Sequence, residues 1–248
     1  MTGNLTATGS GAGITISADN VTLDLYGFTL TGGGSGSVAG IKVPAGQKNI
    51  FIRNGIVRGW SNGGINASNA NNSVIQGIRL SNNSAPSTFF NIAGLSIGNG
   101  STVKDCFVAN NSNSSGISVG NACSVSNCVA RANSDGAGIR VMDSCYVVGN
   151  ISDSNGTGIT MGSGNRIDSN SCTSNASAGI LIPSNVTNNL VIRNSARDNN
   201  PNYNIAAGNR YGTIFNLTPV GTSAVNGDSA PSTISTIVGF DPWANFAY

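Results

Sequence analysis

The chain has 248 residues and a formal net charge of +2, from 12 basic and 10 acidic side chains. It contains no His and no Glu, which excludes Ser-His-Asp and Cys-His catalytic systems and leaves Asp as the only carboxylate. The nine Arg and three Lys are spread thinly, which argues against a nucleic-acid surface. No apolar run is long enough to cross a membrane. The 34 Gly and 36 Asn favour turns over helices.

In chain order, residues 1–12 are predicted to form a truncated first coil, and a repeat follows. Each unit opens with Gly, an aliphatic residue, any residue and a second aliphatic residue, and it ends in an Asn- and Ser-rich turn. The units open at Gly13, Gly40, Gly64, Gly94, Gly116, Gly138, Gly158 and Gly179. The three units from Gly94 to Thr157 have nearly the same sequence, and they are 22, 22 and 20 residues long. Asn204 is predicted to open a last partial coil.

Self-similarity at this period indicates a solenoid. Leucine-rich repeats need several Leu per unit and a helix, and left-handed β-helices favour strict hexads; neither pattern is present. A coil of about 22 residues with three short strands fits the third solenoid class. The sequence therefore predicts an all-β, single-stranded right-handed parallel β-helix of about eight or nine coils over residues 1–206. A non-repeat tail follows over residues 207–248.

The register of the units predicts which side chains point inward. The second and fourth positions, such as Ile117 and Val119, alternate with a polar residue, as in a half-buried strand. The tenth position is also apolar: Val103, Val125, Val147 and Ile167. Three residues later comes a column of Cys106, Cys128, Asn150 and Asn170, to which we also assign Asn54 and Asn194. Since rungs stack about 4.8 Å apart, each column forms a ladder along the solenoid.

The five cysteines follow the same register. Cys106 and Cys128 share one position in adjacent coils, and Cys123 and Cys145 share another. This spacing suits disulfides 106–128 and 123–145 with Cys172 free; the alternative is a ladder of free buried thiols. Without His or a Cys-x-x-Cys pair, we expect no metal site and no cofactor.

The repeats, together with VTLDLYGFTL near the start and NYNIAAGNRYG and DPWANFAY at the end, carry a resemblance to a known group. The chain resembles bacterial right-handed parallel β-helix repeat proteins, which are related in fold to pectate lyases and alginate epimerases. The resemblance covers almost the whole chain. It implies a polysaccharide groove over the first sheet, where lyases hold calcium with several carboxylates and use Arg or Lys as base, and where epimerases use His, Tyr and Asp.

The third position of each unit lies on that outer face. It is small and nearly neutral: Lys42, Asn66, Ser96, Ser118, Arg140, Thr160 and Leu181. A calcium site is not expected there, because no carboxylates cluster, and the epimerase set lacks its His. What remains is a candidate glycan patch, formed by Arg140, Asp143, Tyr146, Arg166 and Asp168. The alternative for these residues is a set of solvated ion pairs.

The tail carries a second candidate feature, an aromatic cluster formed by Phe240, Trp243, Phe246 and Tyr248. An open solenoid end needs a cap, so we expect these residues to pack there. Self-association or ligand stacking are the alternatives.

Three functions compete at this stage. The first is a secreted or cell-surface structural or adhesion module of bacterial origin without a catalytic site; any export signal ahead of Gly3 has been cut away or was never there. The second is a polysaccharide-binding or polysaccharide-processing protein, by fold analogy. The third, an ice- or crystal-surface binder, needs a regular Thr array, and the outer strip supplies only Thr160.

Overall fold

The chain winds into a parallel β-solenoid of about nine turns. The computed structural model describes residues 1–33, 36, 38–85, 94–217, 225–227, 233–234 and 241–248. Over these residues the only regular elements are β-strands, every pairing between them is parallel, and no helix long and apolar enough to span a membrane occurs. The predicted fold class is confirmed.

Face 1 of the solenoid is a sheet of ten strands, and it is formed by the predicted repeat openings. Its strands are β2 (Ile14–Thr15), β5 (Ile41–Lys42), β7 (Ile65–Ala67), β9 (Leu95–Ile97), β12 (Ile117–Val119), β15 (Ala137–Val141), β18 (Thr157–Met161), β21 (Ile180–Ile182), β24 (Tyr203–Ile205) and β27 (Val225–Gly227). In register, Ser118 pairs with Ser96 on one side and with Arg140 on the other. The predicted strip is therefore continuous in register, but it is not exposed throughout, since Ser96 is only 1% exposed.

The other 19 strands form faces 2 and 3, which the long strands β6 and β8 join. Face 2 contains β3 (Thr22–Asp24), the first halves of β6 (Phe51–Arg58) and β8 (Val74–Ser81), β10 (Thr102–Lys104), β13 (Ser124–Ser126), β16 (Tyr146–Val148), β19 (Arg166–Asp168), β22 (Leu190–Ile192) and β25 (Arg210–Tyr211). Face 3 contains β1 (Leu5–Thr6), β4 (Thr29–Thr31), the second halves of β6 and β8, β11 (Phe107–Ala109), β14 (Val129–Arg131), β17 (Ile151–Asp153), β20 (Ser171–Thr173), β23 (Ser195–Arg197), β26 (Ile214–Asn216), β28 (Thr233–Ile234) and β29 (Asn245–Ala247).

The core consists of aliphatic columns that run along the solenoid axis. Ile117, Ile139 and Ile159 stack on face 1 in consecutive coils, and each is fully buried. The predicted tenth-position column is equally buried on face 2: Val103, Val125, Val147 and Ile167. Burial of each such side chain contributes about 1.5–3 kcal/mol, and consecutive coils supply one another's packing surface.

Glycine opens the repeats because the coils approach closely there. A Cβ on Gly116 would lie 2.6 Å from Nδ2 of Asn133 and 2.8 Å from the carbonyl oxygen of Gly138 in the next coil. Both distances are shorter than van der Waals contact, so a larger residue would push the rungs apart.

Most turns between faces, from Asn72 onward, use the same two-residue device. The first residue adopts the left-handed conformation, as Asn127 does with a φ of 52°, and the second turns a small polar side chain inward. Corner 1, between faces 1 and 2, stacks Ser73, Ser101, Cys123, Cys145, Asn165, Asn189 and Asn209. Corner 2, between faces 2 and 3, stacks Cys106, Cys128, Asn150, Asn170, Asn194 and Asn245. Corner 3, between face 3 and the next face 1, stacks Asn83, Asn111, Asn133, Asn155, Asn175 and Asn199.

These ladders satisfy backbone groups that the turns would otherwise leave unpaired. Oδ1 of Asn133 accepts a hydrogen bond from the backbone N–H of Asn111 (3.2 Å). Its Nδ2 donates to the carbonyl of Val108 (3.2 Å) and to Oδ1 of Asn155 (2.9 Å). Sulfur and hydroxyl oxygen do the same at corner 1, where the Cys123 N–H donates to Sγ of Cys145 (3.4 Å). The predicted column at corner 2 is therefore one of three.

One assignment to that column was wrong. Asn194 belongs to corner 2, but Asn54 has an exposed side chain and lies in the left-handed position, with a φ of 57°. In that coil β6 runs through the corner as one strand, and Gly55 pairs with Ile78 of β8. Gly55 and Ile78 occupy the ladder position of these two coils, so no inward Asn is present there.

The tail adds strands of its own after residue 206. Its last strand, β29, lies between β23 and β26, so that Phe246 pairs with Ser195 on one side and with Phe215 on the other. Asn245 continues the corner 2 ladder, because its Oδ1 accepts the N–H of Asn194 (3.0 Å). The Phe215 and Phe246 rings stack with their centroids 5.6 Å apart. Of the four predicted aromatic residues, Phe240 lies outside the described residues.

All five cysteine side chains are buried, and no two of them are bonded to each other in the structure. The two members of each predicted disulfide, 106–128 and 123–145, occupy the same corner on neighbouring rungs. The disulfides themselves stay a prediction, which thiol titration can test.

Candidate functional site

The five residues of the predicted glycan patch lie on two faces of the solenoid. Arg140 is on face 1, whereas Tyr146, Arg166 and Asp168 are on face 2. Asp143 lies in the turn between them, where its Oδ1 accepts the backbone N–H of Ser163 (2.7 Å). This carboxylate ties two coils together. The structure therefore brings Tyr146, Arg166 and Asp168 together and separates them from Arg140.

Asp168 is the centre of an ion-pair cluster on face 2. Its side chain is fully buried, and its Oδ2 accepts hydrogen bonds from Nε (3.1 Å) and Nη2 (2.8 Å) of Arg166. Nε of Arg193 donates to Oδ1 (2.7 Å), and Nη2 of Arg193 pairs with Oδ2. The Ser169 hydroxyl donates to Oδ1 (2.9 Å).

This environment fixes the charge of the Asp168 carboxyl. Burial alone would raise its pKa, but the hydrogen bonds from Arg193 and Arg166 outweigh burial and lower the pKa to about 2. Asp168 is thus an anion at neutral pH, and a group with this pKa is poorly matched to proton transfer there. Its role in the geometry is to hold two guanidinium groups in place.

Arg193 is the residue of this cluster that the sequence analysis missed. It occupies the left-handed position of corner 2, with a φ of 57°, where other coils place small or turn-forming residues: Asp105, Asn127, Gly149 and Ser169. A large residue is uncommon in that conformation. The hydrogen bonds that Arg193 donates to Asp168 raise the pKa of Arg193, and its guanidinium lies 5.3 Å from the centroid of the Trp243 ring. The sequence feature that could have identified Arg193 is the presence of an Arg at a left-handed turn position, which the other coils fill with small or turn-forming residues.

A groove of about 500 Å³ lies beside this cluster on the outer side of face 2. It is lined by Arg166, Leu190, Ile192, Arg210, Tyr211, Gly212, Thr213, Asp241 and Trp243. We call it the Trp243 groove. The Trp243 side chain remains 50% exposed, and the Arg166 guanidinium also lies over the Tyr146 ring, 5.6 Å from its centroid. The groove therefore combines flat apolar surface with charged hydrogen-bonding groups.

The loop that carries Trp243 is held by Asp241. Oδ1 of Asp241 accepts the backbone N–H of Trp243 (2.9 Å), and this hydrogen bond is the main cause of the lowered pKa of Asp241. The backbone carbonyl of Trp243 in turn accepts the N–H of Arg193 (3.2 Å). The hydrogen bonds of the Trp243 N–H and carbonyl groups thus hold the indole against the arginine cluster.

Arg140 lines a different groove, of about 460 Å³, over face 1. The lining is small and polar: Asn113, Ser114, Ser115, Asp135, Gly136, Ala137, Arg140, Gly156, Thr157 and Thr160. The carboxylate of Asp135 accepts the backbone N–H of Asn113 (2.8 Å), so it also serves the turn. This groove has no aromatic residue in its lining. Across the described part of the chain, no three Asp or Cys side chains are placed to share a metal ion.

Comparisons with known proteins find a distant likeness only. No family model matches the chain, and no curated protein matches it. Among solved structures, the chain is similar to the Dettilon tailspike protein (gp208), at 11% sequence identity and a TM-score of 0.33, over 94% of this chain and 60% of that chain. The chain thus spans about 60% of the length of the tailspike chain that it matches.

Proposed function

We propose that this chain is a rigid, extracellular or cell-surface β-helix module of bacterial origin that binds polysaccharide in the Trp243 groove. The observation that carries the proposal is the placement of Trp243, half exposed, beside two arginines that a buried carboxylate holds in position. The proposal joins the structural module and the polysaccharide binder of the sequence analysis into one function.

The chemistry of the groove fits a sugar chain. A sugar ring has an apolar face that can lie on an indole, and its hydroxyl edges need donors and acceptors, which Arg166, Arg210 and Asp241 offer. Arginine also pairs with carboxylate in a two-pronged geometry, so an acidic sugar would gain more than a neutral one. The three arginines Arg166, Arg193 and Arg210 exceed the two carboxylates Asp168 and Asp241 by one positive charge.

The groove is also prearranged. Asp168 holds Arg166 and Arg193 by hydrogen bonds of 2.7–3.1 Å, and Asp241 fixes the loop of Trp243. Groups that are ordered before the ligand arrives lose less conformational entropy on binding. This rigidity favours binding over a mechanism that depends on closure of a lid.

The proposal is tested by measuring calorimetric affinity for uronate and neutral polysaccharides with three variants and the unsubstituted chain. Trp243→Ala is expected to lose about tenfold or more in affinity, because stacking contributes on the order of 1 kcal/mol beyond burial, and Trp243→Phe is expected to recover part of it. The matched control is Arg79→Ala, which removes the same kind of arginine–ring contact, over Phe107 on face 3 (5.0 Å). Equal affinity of Trp243→Ala and the unsubstituted chain for every polysaccharide would reject the groove.

A processing function has one observation in its favour, the face 1 groove that places Arg140 and Asp135 in one lining. An Arg and an Asp can hold a uronate carboxylate and move a proton. Incubation with uronate polysaccharides and product detection by mass separates the two functions. Turnover that Arg140→Ala abolishes would establish processing at face 1, and it would contradict a module that only binds.

A further inference from the structure

Corner 1 stacks two thiols in neighbouring rungs. Cys123 and Cys145 precede strands β13 and β16, which pair in register, with Ser124 opposite Tyr146. Equivalent atoms on adjacent rungs of a parallel sheet are about 4.8 Å apart. The two sulfur atoms therefore lie one above the other along the solenoid axis, at a separation that the backbone imposes.

Each of these sulfur atoms has one backbone N–H donor and two backbone carbonyl oxygens within hydrogen-bond distance. Sγ of Cys123 accepts the backbone N–H of Ser101 (3.4 Å), and Sγ of Cys145 accepts the backbone N–H of Cys123 (3.4 Å). As thiols, both donate to a carbonyl oxygen 3.2 Å away, that of Gly98 for Cys123 and that of Gly120 for Cys145. Loss of the thiol protons leaves the two N–H donors in place, and these donors stabilise negative charge on sulfur.

We propose that Cys123 and Cys145 bind one soft monovalent cation, Cu(I) or Ag(I), in a linear two-coordinate site between the two rungs. Thiolate is the protein ligand that such ions prefer. A metal–thiolate bond is about 2.3 Å in zinc sites; two of comparable length in line span about 4.6 Å, close to the rung spacing of about 4.8 Å. A disulfide would instead need the sulfurs to approach to about 2.05 Å.

The binding step is balanced by proton release. Two thiols lose two protons and one cation enters, so the neutral pair becomes a bis-thiolate complex with one negative charge.

The two-ligand geometry disfavours zinc, and the site requires a second thiol on the neighbouring rung. Zinc takes four ligands in a tetrahedron, and among the described residues no third Asp or Cys joins the pair. Cys172 lies between Ser152 and Ala196 in its column, so it has no second thiol on a neighbouring rung.

The test uses the full chain and silver nitrate in chloride-free buffer with a thiol-free reductant, and native mass spectrometry counts bound Ag(I). A chain with Cys106→Asn, Cys128→Asn and Cys172→Ala retains only the corner 1 pair. These replacements occur in register in neighbouring coils, as Asn150, Asn170 and Ala196. It is expected to hold one ion per chain. Addition of Cys145→Asn, the residue that the next rung carries as Asn165, is expected to weaken binding about 100-fold, since one thiolate remains and the chelate is lost.

Single variants in the otherwise unchanged chain test the site even where the multiple variant does not fold. Cys123→Ser, the residue found one rung earlier as Ser101, and Cys145→Asn should each bind one ion fewer than the unsubstituted chain, with unchanged circular dichroism. No tight ion in the unsubstituted chain, or equal counts in these folded variants, would overturn the proposal.

Discussion

The corner ladders make a quantitative prediction about a single buried amide, that of Asn150. Its Oδ1 accepts the N–H of Cys128 (2.9 Å), and its Nδ2 lies 3.0 Å from the carbonyl oxygen of Val125 and 2.9 Å from Oδ1 of Asn170. In Asn150→Ala, the Cys128 N–H and the Val125 carbonyl lose their partner inside the solenoid. Each unsatisfied group costs about 1–3 kcal/mol, so we expect a loss of about 2–6 kcal/mol in the free energy of unfolding.

The matched variant is Asn150→Cys. A sulfur already fills this ladder position in Cys128, whose Sγ lies 3.8 Å from the carbonyl oxygen of Val103, and it can accept the N–H as Cys145 does at corner 1. We therefore expect it to lose at most about half as much as Asn150→Ala. Asn69→Ala, at an exposed turn position, should stay within about 0.5 kcal/mol of the unsubstituted chain.

Urea unfolding followed by circular dichroism gives the three values, and hydrogen exchange at the Cys128 amide reports the local loss. If Asn150→Ala were as stable as Asn150→Cys, or its Cys128 amide stayed protected, the ladder would not stabilise the solenoid and the argument would fail.

Three further predictions concern charge, thiols and assembly. The pKa of Asp168 is about 2 in the fold and about 3.9 in the unfolded chain. The stabilisation from its ionised carboxylate is therefore complete above about pH 4 and is lost as the pH falls towards 2. Asp168→Asn should flatten the acid side of a plot of unfolding free energy against pH, and an unchanged plot would contradict the ion-pair cluster. Thiol titration in denaturant without reductant should give five thiols per chain, whereas the two disulfides would leave only Cys172. If the aromatic tail drives self-association, Trp243→Ala and Tyr248→Ala should lower the molar mass measured by light scattering at high concentration; equal masses would reject that interface.

The repeat pattern in the sequence was sufficient to predict the fold and the columns of apolar side chains that point into the core. Glycine followed by alternating aliphatic residues, recurring every 20 to 30 residues, is typical of short strands stacked in a solenoid, and face 1 follows that pattern closely. The ladders were predicted at corner 2 alone, because an Asn-rich sequence hides which amides turn inward. Asn54 shows the difficulty, since it has the same residue type and spacing as ladder members but sits at a bend where the strand continues.

The Trp243 groove could be predicted only in part. Tyr146, Arg166 and Asp168 come together because they share the regular register of face 2. Arg193 and Trp243 complete the cluster from a turn and from the non-repeat tail, where no period relates sequence to position. Arg140 was grouped with them by closeness in sequence, but corner 1 turns the chain between the two faces.

The position of β29 has a consequence for the order of folding. Elsewhere a rung pairs with the rung 20 to 30 residues before it, so a coil can be laid on its predecessor as soon as it exists, whereas Asn194 and Asn245 are 51 residues apart. Since β29 lies between β23 and β26, the earlier strand β26 cannot take its final place before β29 arrives. We expect the first coils to form rapidly through local contacts and the last rungs to close in a separate, slower step. This end of the solenoid is thus completed when β29 inserts between β23 and β26, whereas each earlier coil is added onto the coil before it.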